Sequence, residues 1–129
     1  MVDWDKAKDI SQRSGRHISK CGYYYPMAFP DPENIVIENG VTEITRGPAG
    51  CMLLKRQVFE RMGKAYPEMK IKQQTMLNQQ MHETEHFWNF FDTDFNKEKG
   101  TFKGEDFAFC ERWTKIGGKL YANVDAYIT

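Results

Sequence analysis

The chain has 129 residues, which is enough for one domain with a buried core, and we assign residues 1–129 to a single domain. Apolar residues make up 40% of the chain and charged residues 28%, a composition typical of a folded protein that excludes a disordered or fibrous one. The 18 basic and 18 acidic side chains cancel without a long run of one sign, which argues against a nucleic acid or a membrane surface as a partner.

Cysteine usage and hydropathy predict a cytoplasmic protein. Cys21, Cys51 and Cys110 are odd in number and widely spaced, and there is no CxxC pair, so neither a disulfide framework nor a zinc site is indicated. No apolar run approaches the roughly 20 residues that cross a bilayer, and no basic segment followed by an apolar one opens the chain. We therefore expect reduced thiols, no membrane segment and no export signal.

The first elements in chain order are a short helix and a strand. Asp3 is placed to cap a helix that runs to about Ser14 and ends at Gly15. Residues 17–25 are rich in β-favouring side chains and precede Pro26, which predicts a strand followed by an irregular loop.

A β-hairpin is the clearest local pattern in the sequence. Asn39-Gly40 readily adopts the positive φ angles of a two-residue type I′ turn, and it separates residues 35–38 from residues 41–45. Further on, residues 51–54 are wholly apolar and predict a short, buried central strand. The spacing of apolar side chains over residues 55–64 then predicts a helix that stops at Gly63 or at the following Tyr-Pro pair.

The second half of the chain is harder to assign until its last helix. Residues 70–85 are rich in Gln and Met and fit either a helix with a weak apolar face or a loop. Residues 87–91 predict a strand and residues 92–100 a charged loop. Residues 105–116 predict a helix ended by two glycines, and residues 119–128 a final pair of short extended segments.

This order of elements predicts a mixed α/β domain, with a mixed β-sheet, a β-hairpin and flanking helices. Its most informative residues are Glu105 and Asp106, which follow Gly104 at the start of the predicted helix. Unpaired backbone N–H groups at a helix N-terminus stabilise negative charge by roughly 0.3 to 1 kcal/mol, which helps to keep a carboxylate ionised and able to accept a proton. From spacing alone, simple helix capping is the stronger interpretation.

Three sequence blocks support a second interpretation. They are residues 50–59 (GCMLLKRQVF), 104–112 (GEDFAFCER) and 117–121 (GGKLY). In this order and at these separations, the chain resembles the acceptor-side, C-terminal half of GT-A type, family-two-like glycosyltransferases. The resemblance implies a partial GT-A-like domain that transfers a sugar from a nucleotide-sugar donor to a carbohydrate or other hydroxyl acceptor.

The resemblance also implies roles for individual residues. Asp106 would be the catalytic base that deprotonates the acceptor hydroxyl, and Glu105 would hold the acceptor sugar by hydrogen bonds. Gly50 and Gly104, together with Tyr25 of a Tyr-Pro loop, would line the acceptor site. A positioned carboxylate suits this chemistry, because a sugar hydroxyl is a poor nucleophile until its proton is taken.

Some parts of the family are not found in this sequence. The resemblance implies an N-terminal Rossmann-like half that binds the nucleotide and ends in a DxD motif, and it implies a later histidine ligand. We therefore expect a fragment that is inactive alone and whose divalent metal, Mn²⁺ or Mg²⁺, has its ligands elsewhere. Asp3 and Asp5 form an Asp-x-Asp triplet, but no apolar strand precedes it, so a helix cap is favoured.

The remaining patterns favour structural roles. His82 and His86 have a spacing seen in metal ligands, but without an HExxH pattern an exposed polar helix is the stronger interpretation. Cys110 is more typical of a small core residue than of a nucleophile. Trp88, in an aromatic segment over residues 87–91, could stack on a sugar or pack in the core. The alternative to an enzyme is a non-catalytic binding or oligomerisation module of the same fold, in which exposed aromatic surface mediates self-association.

Overall fold

The computed structural model describes residues 3–15 and 26–126. Within these ranges there are three α-helices and six strands. In chain order they are α1 (Trp4–Ser14), β1 (Val41–Ile44), α2 (Arg56–Ala65), β2 (Lys70–Leu77), β3 (Gln80–Trp88), β4 (Asp94–Asn96), β5 (Thr101–Lys103), α3 (Glu105–Lys115) and β6 (Leu120–Asn123). The predicted mixed α/β class is confirmed.

The sheet arrangement differs from the prediction. The described strands form three separate two-stranded sheets, β1–β6, β2–β3 and β4–β5, and each pair is antiparallel. The expected single mixed sheet is therefore wrong for this part of the chain. The physical reason is local: two of the three pairs join strands that follow each other in sequence through tight turns, and such neighbours pair antiparallel.

Helix α1 has the predicted ends. The Asp3 carboxylate accepts a hydrogen bond of 3.0 Å from the backbone N–H of Lys6, and Gly15 adopts a φ of 67° at the C-terminal end. Glycine takes this left-handed conformation without the steric cost that other residues have, so the helix ends there. The predicted strand over residues 17–25, with the candidate site residue Tyr25, lies outside the described residues.

The Asn39-Gly40 turn forms as predicted, but the hairpin around it does not. Asn39 and Gly40 have φ values of 51° and 74°, and the flanking Glu38 and Val41 exchange two backbone hydrogen bonds of 2.9 Å. Residues 35–37 then leave the pairing, and β1 pairs along its length with β6 instead. The partner strand places Leu120 against Ile44, and both side chains are buried, whereas residues 35–37 are exposed.

The central strand predicted at residues 51–54 is wrong. Cys51 is exposed and Leu53 is 99% exposed, and no described strand pairs with this segment. An apolar run favours a buried strand only where a neighbouring strand edge is present to receive it. Helix α2 follows, as predicted, and ends before Tyr66.

Residues 70–88 form a long β-hairpin, here called the ribbon, where the sequence suggested a helix or a loop. Asn78 and Gln79 join β2 to β3 with φ values of 49° and 64°. Every residue of both strands is exposed. Because neither face is buried, the ribbon lacks the alternation of apolar and polar residues that marks most strands.

The strand predicted over residues 87–91 is correct for Phe87 and Trp88, which end β3, while Phe90 and Phe91 follow in a turn. The charged loop predicted over residues 92–100 contains β4 and the turn that leads to β5. Of the two extended segments predicted over residues 119–128, only β6 is a strand in the described part of the chain.

The apolar core lies between α2, α3 and the β1–β6 sheet. Phe109, Met62 and Cys110 are its largest fully buried side chains. The buried cluster as a whole comprises Ile44, Val58, Met62, Phe90, Phe109, Cys110, Trp113 and Leu120. Helix α3 contributes three of these side chains, so its position is fixed by the core, and its first turn is fixed with it.

Candidate functional site

Glu105 and Asp106 occupy the first turn of α3, as the sequence predicts. Strand β5 ends at Lys103, and Gly104 turns the chain into the helix with φ −63° and ψ 163°. The Gly104 carbonyl accepts the first helical hydrogen bond, 3.0 Å from the backbone nitrogen of Ala108. Both carboxylates therefore lie beside the free N–H groups of a helix N-terminus, where negative charge is stabilised.

The two carboxylates have different surroundings. Glu105 is exposed, whereas Asp106 is half-buried and its Oδ1 accepts a hydrogen bond of 2.7 Å from the backbone N–H of Phe107. Within the described residues, neither side chain forms an ion pair, and Oδ2 of Asp106 accepts no hydrogen bond. A fixed carboxylate with one open oxygen has the form of a group that accepts a proton from a bound hydroxyl.

Asp106 and Cys110 lie one turn apart on the side of α3 that faces Gly47. The Cys110 thiol donates a hydrogen bond of 3.6 Å to the Gly47 carbonyl, and a Cβ on Gly47 would come within 2.8 Å of the Ile44 side chain. Burial raises the pKa of the Cys110 thiol, and the charge of Asp106 raises it further. Cys110 is thus a buried core residue, as predicted, and its thiol contacts the Gly47 loop one helical turn from Asp106.

The other predicted site residues are not brought to this helix end by any described contact. Gly50 is exposed, and a Cβ there would have nothing within 4 Å. The Trp88 ring stacks on Phe90 with centroids 5.3 Å apart and lies against Gly63 of α2, where a Cβ would be 3.3 Å from the ring. Tyr25 lies outside the described residues. Of the predicted site residues, Gly104, Glu105 and Asp106 therefore lie together at the N-terminal end of α3. Sugar stacking by Trp88 stays a prediction.

A charged cluster on the same helix was not predicted. The Glu111 carboxylate lies 2.6 Å from Lys103 Nζ, 3.2 Å from Lys115 Nζ and 3.9 Å from the Arg46 guanidinium, and Lys103 also contacts Asp94 at 3.5 Å. The hydrogen bond from Lys103 to Glu111 lowers the pKa of Glu111 and raises the pKa of Lys103. The i,i+4 spacing of Glu111 and Lys115 is visible in the sequence, but the pairing with Lys103 depends on how β5 packs against α3.

Two concave surfaces lie beside α3. A cavity of about 420 Å³ is lined by α3, with Glu111 and Arg112, and by residues before and at the starts of β2 and β4. The Arg112 guanidinium donates hydrogen bonds to the carbonyls of Phe90 (3.2 Å) and Asp92 (2.7 Å). A larger, apolar groove of about 710 Å³ lies beside β6. Both have the size of small-molecule pockets, but Glu105 and Asp106 line neither of them.

The described residues do not fit the divalent metal that the family resemblance implies. In residues 3–15 and 26–126, no group of three or more His, Cys, Asp or Glu side chains is arranged to hold a metal ion. Asp3 of the Asp-x-Asp triplet caps α1. His82 and His86 lie on strand β3 and not on the predicted helix, which puts them about 13 Å apart at the usual rise per residue and too far to share an ion.

Comparison of the chain with protein-family models, curated proteins and solved structures found no match. None of the helices described in the structure combines the length and the apolar character needed to span a membrane.

Proposed function

We propose that this chain is the acceptor-binding part of a glycosyltransferase and forms the acceptor side of a GT-A-like domain. The observation that carries the proposal is the acidic pair Glu105-Asp106, which begins a core-packed helix and forms no ion pair within the described residues. The order of the three sequence blocks adds support, because it places this pair where the resemblance expects the catalytic base.

In the proposed reaction, Asp106 accepts the proton of an acceptor hydroxyl. The hydroxyl oxygen forms a bond to the anomeric carbon of the donor sugar while the bond to the nucleotide diphosphate breaks, and the proton passes to Oδ2 of Asp106. The hydrogen bond from the Phe107 N–H to Oδ1 holds the carboxylate in place. General-base assistance of this kind contributes about 10² to 10⁴ in rate.

Glu105 binds the acceptor in this proposal. Successive residues of an α-helix point about 100° apart, so Glu105 reaches a different part of the sugar from Asp106. Its exposed carboxylate accepts hydrogen bonds from neighbouring sugar hydroxyls. The nucleotide-sugar donor and a divalent metal ion are bound by another part of the enzyme.

Saccharide titration followed by ¹H–¹⁵N NMR tests this function. The probe is a panel of mono- and disaccharides, and we expect at least one to shift the backbone amides of residues 105–107. Glu105→Gln should weaken binding about tenfold, because a hydrogen bond to a charged group contributes about 1.5 kcal/mol or more. Asp106→Asn keeps the shape of the site and should retain binding within about twofold.

Asp5→Asn is the matched control, because Asp5 is also an exposed acidic residue in the first turn of a helix. It should leave saccharide affinity unchanged. If no saccharide in the panel shifts these amides, or if Glu105→Gln binds as well as the wild type, the catalytic proposal fails. The non-catalytic binding module would then be the better description, and the fully exposed ribbon is the observation that favours it.

A further inference from the structure

The hairpin of β4 and β5 has two faces with different side chains. Its strands pair Asp94 with Lys103, Phe95 with Phe102, and Asn96 with Thr101. Residues directly opposite each other in an antiparallel pair share a face, and successive pairs alternate between the two faces. Phe95 and Phe102 therefore lie side by side on one face, while Asp94 and Lys103 lie on the other.

The face with Lys103 is turned towards α3. Lys103 Nζ lies 2.6 Å from the Glu111 carboxylate, in the second turn of the helix. Phe95 and Phe102 consequently point away from α3, and they are 57% and 65% exposed. Phenylalanine is mostly a core residue, so two such side chains together on an open face are a feature that calls for a partner. We refer to Phe95 and Phe102 as the phenyl platform.

Gly104 connects the phenyl platform to the acidic pair. Alternate residues of an extended chain point to the same side, so the side of Gly104 on which a Cβ would lie is also the side of Phe102. A Cβ there would be 3.4 Å from Oδ1 of Asp106. Apart from the two chain neighbours of Gly104, no other described residue has an atom within 4 Å of that position. Phe102, the open space at Gly104 and the Asp106 carboxylate thus follow one another along one side of the chain.

This row of groups is suited to a ligand with both apolar and hydroxyl surface. A purely apolar ligand would cover the Asp106 carboxylate without a hydrogen-bond partner, which is costly. A pyranose ring instead has C–H groups on its faces and hydroxyl groups around its rim. It can contact an aromatic ring and donate hydrogen bonds to a carboxylate in the same complex.

We propose that the phenyl platform binds a pyranose ring of the acceptor and that the acceptor is at least a disaccharide. The proposal rests on the proposed function. One sugar places its hydroxyl at Asp106, and the next lies over Gly104 and stacks its C–H face on Phe102. Four residues of chain span at most about 14 Å, and two linked pyranose rings cover a length of this order.

Saccharide titration with matched ligands tests the inference. The ligands are cellobiose, lactose and maltose, each with the methyl glycoside of its non-reducing sugar, and the readout is again the backbone amide shifts. We expect at least one disaccharide to bind at least about fivefold more tightly than its monosaccharide, which is the effect of one stacked aromatic contact. The amides of residues 101–104 should shift with that disaccharide and not with its monosaccharide.

Substitutions at Phe102 locate the second sugar. Phe102→Ala should remove most of the advantage of the disaccharide and leave monosaccharide binding unchanged. Phe102→Trp should retain the advantage, because tryptophan also has a flat aromatic face. Tyr121→Ala is the matched control, since Tyr121 is a 59% exposed aromatic residue on another two-stranded sheet, and it should change neither affinity.

Gly104→Ala is a second, independent variant. It places a methyl group in the open space between the phenyl platform and Asp106, so it should weaken disaccharide binding. Gly104 has a φ of −63°, and the added Cβ makes only an ordinary contact, so the fold should be kept. Urea unfolding checks that this variant and Phe102→Ala are folded.

The outcomes separate this inference from the proposed function. Disaccharides that bind no more tightly than monosaccharides would overturn the inference. Disaccharide binding that Glu105→Gln weakens and Phe102→Ala does not would overturn it as well. In both cases acceptor binding at the acidic pair would stand without the phenyl platform. If no saccharide binds, the inference and the proposed function fail together.

Discussion

Gly118 approaches the Trp113 ring more closely than any side chain would allow. A Cβ at this position would lie 2.0 Å from Trp113 Cε2, far closer than van der Waals contact between two carbon atoms. The ring is held there by a hydrogen bond of 3.0 Å from its Nε1 to the Lys119 carbonyl, and the Gly118 N–H donates to the Trp113 carbonyl. The end of α3 and the start of β6 are thereby fixed against each other.

Gly118→Ala should therefore destabilise the protein. The added methyl group displaces a buried ring, and overpacking of this kind costs about 1 to 3 kcal/mol. The measurement is the free energy of unfolding from urea denaturation. Gly50→Ala is the control, because a Cβ there meets nothing within 4 Å, and its effect should stay within about 0.5 kcal/mol. Equal stability of the two variants would contradict the close contact at Trp113.

The position of the acidic pair is a residue-scale feature that the sequence does predict. Gly104 precedes Glu105 and Asp106, which begin an apolar-periodic segment, so their place in a first helical turn follows from local pattern. The contact of Glu111 with Lys103 does not follow in this way, because it depends on the angle at which β5 enters α3.

At the scale of elements, the Glu111 cluster ties β4, β5 and α3 together. Lys103 on β5 contacts Asp94 on β4 and Glu111 on α3, and Lys115 adds a second cation on the helix. The pKa of Glu111 is lowered chiefly by its hydrogen bond with Lys103. A carboxyl whose pKa is lower in the folded state stabilises that state above its unfolded pKa, and this contribution is lost as the pH falls through the folded value.

Glu111→Gln should accordingly lower stability at neutral pH more than in acid. As the pH falls below the ordinary glutamate pKa of about 4.3, Glu111 of the unfolded chain binds a proton while the folded carboxylate still resists protonation, so the stabilisation and the difference between the two proteins shrink and are lost as the pH passes the lowered folded pKa. Urea unfolding at about pH 7 and about pH 3 measures the difference in the free energy of unfolding between the wild type and Glu111→Gln. Glu60→Gln, in the exposed pair with Arg56, should show a smaller difference at neutral pH. A difference for Glu111→Gln that is the same at both pH values would contradict the role of the ion pair.

Elements defined by local pattern were predicted well. The three helices have caps, glycine ends or apolar stripes within their own residues, and Asn39-Gly40 specifies its turn. Elements whose conformation depends on partners distant in sequence were predicted poorly. β1 pairs along its length with β6 and not with residues 35–37, residues 51–54 find no strand edge among the described residues, and the ribbon has no buried face to produce an alternating pattern.

At the scale of the whole molecule, the ribbon is set apart from the core. Its strands contact each other extensively and other elements little, and its residues are classed as exposed throughout, with Trp88 at the base stacked on Phe90. Helix α3, in contrast, buries Ala108, Phe109, Cys110 and Trp113. A two-stranded hairpin without a covered face is only marginally stable, so the ribbon should unfold locally while the core stays folded.

Hydrogen exchange measures this difference in stability. We expect the ribbon amides to exchange much faster than those of α3. Gln79→Gly should slow exchange in the ribbon about fivefold, because it removes the cost of about 1 kcal/mol that a side chain has at positive φ, and it should leave α3 unchanged. Gln74→Gly, in the middle of β2, should speed ribbon exchange instead. Equal effects of Gln79→Gly on α3 would mean that ribbon and core unfold together.

The pairing of β1 with β6 also sets the order in which the chain can fold. The ribbon and the β4–β5 pair join neighbouring segments, and hairpins of that kind form in about 1 to 10 µs. Strands β1 and β6 come from opposite halves of the chain, so the intervening loop must close before they meet, which is slower. Until then both strands are exposed to other molecules, and the yield of refolding from urea should fall as protein concentration rises.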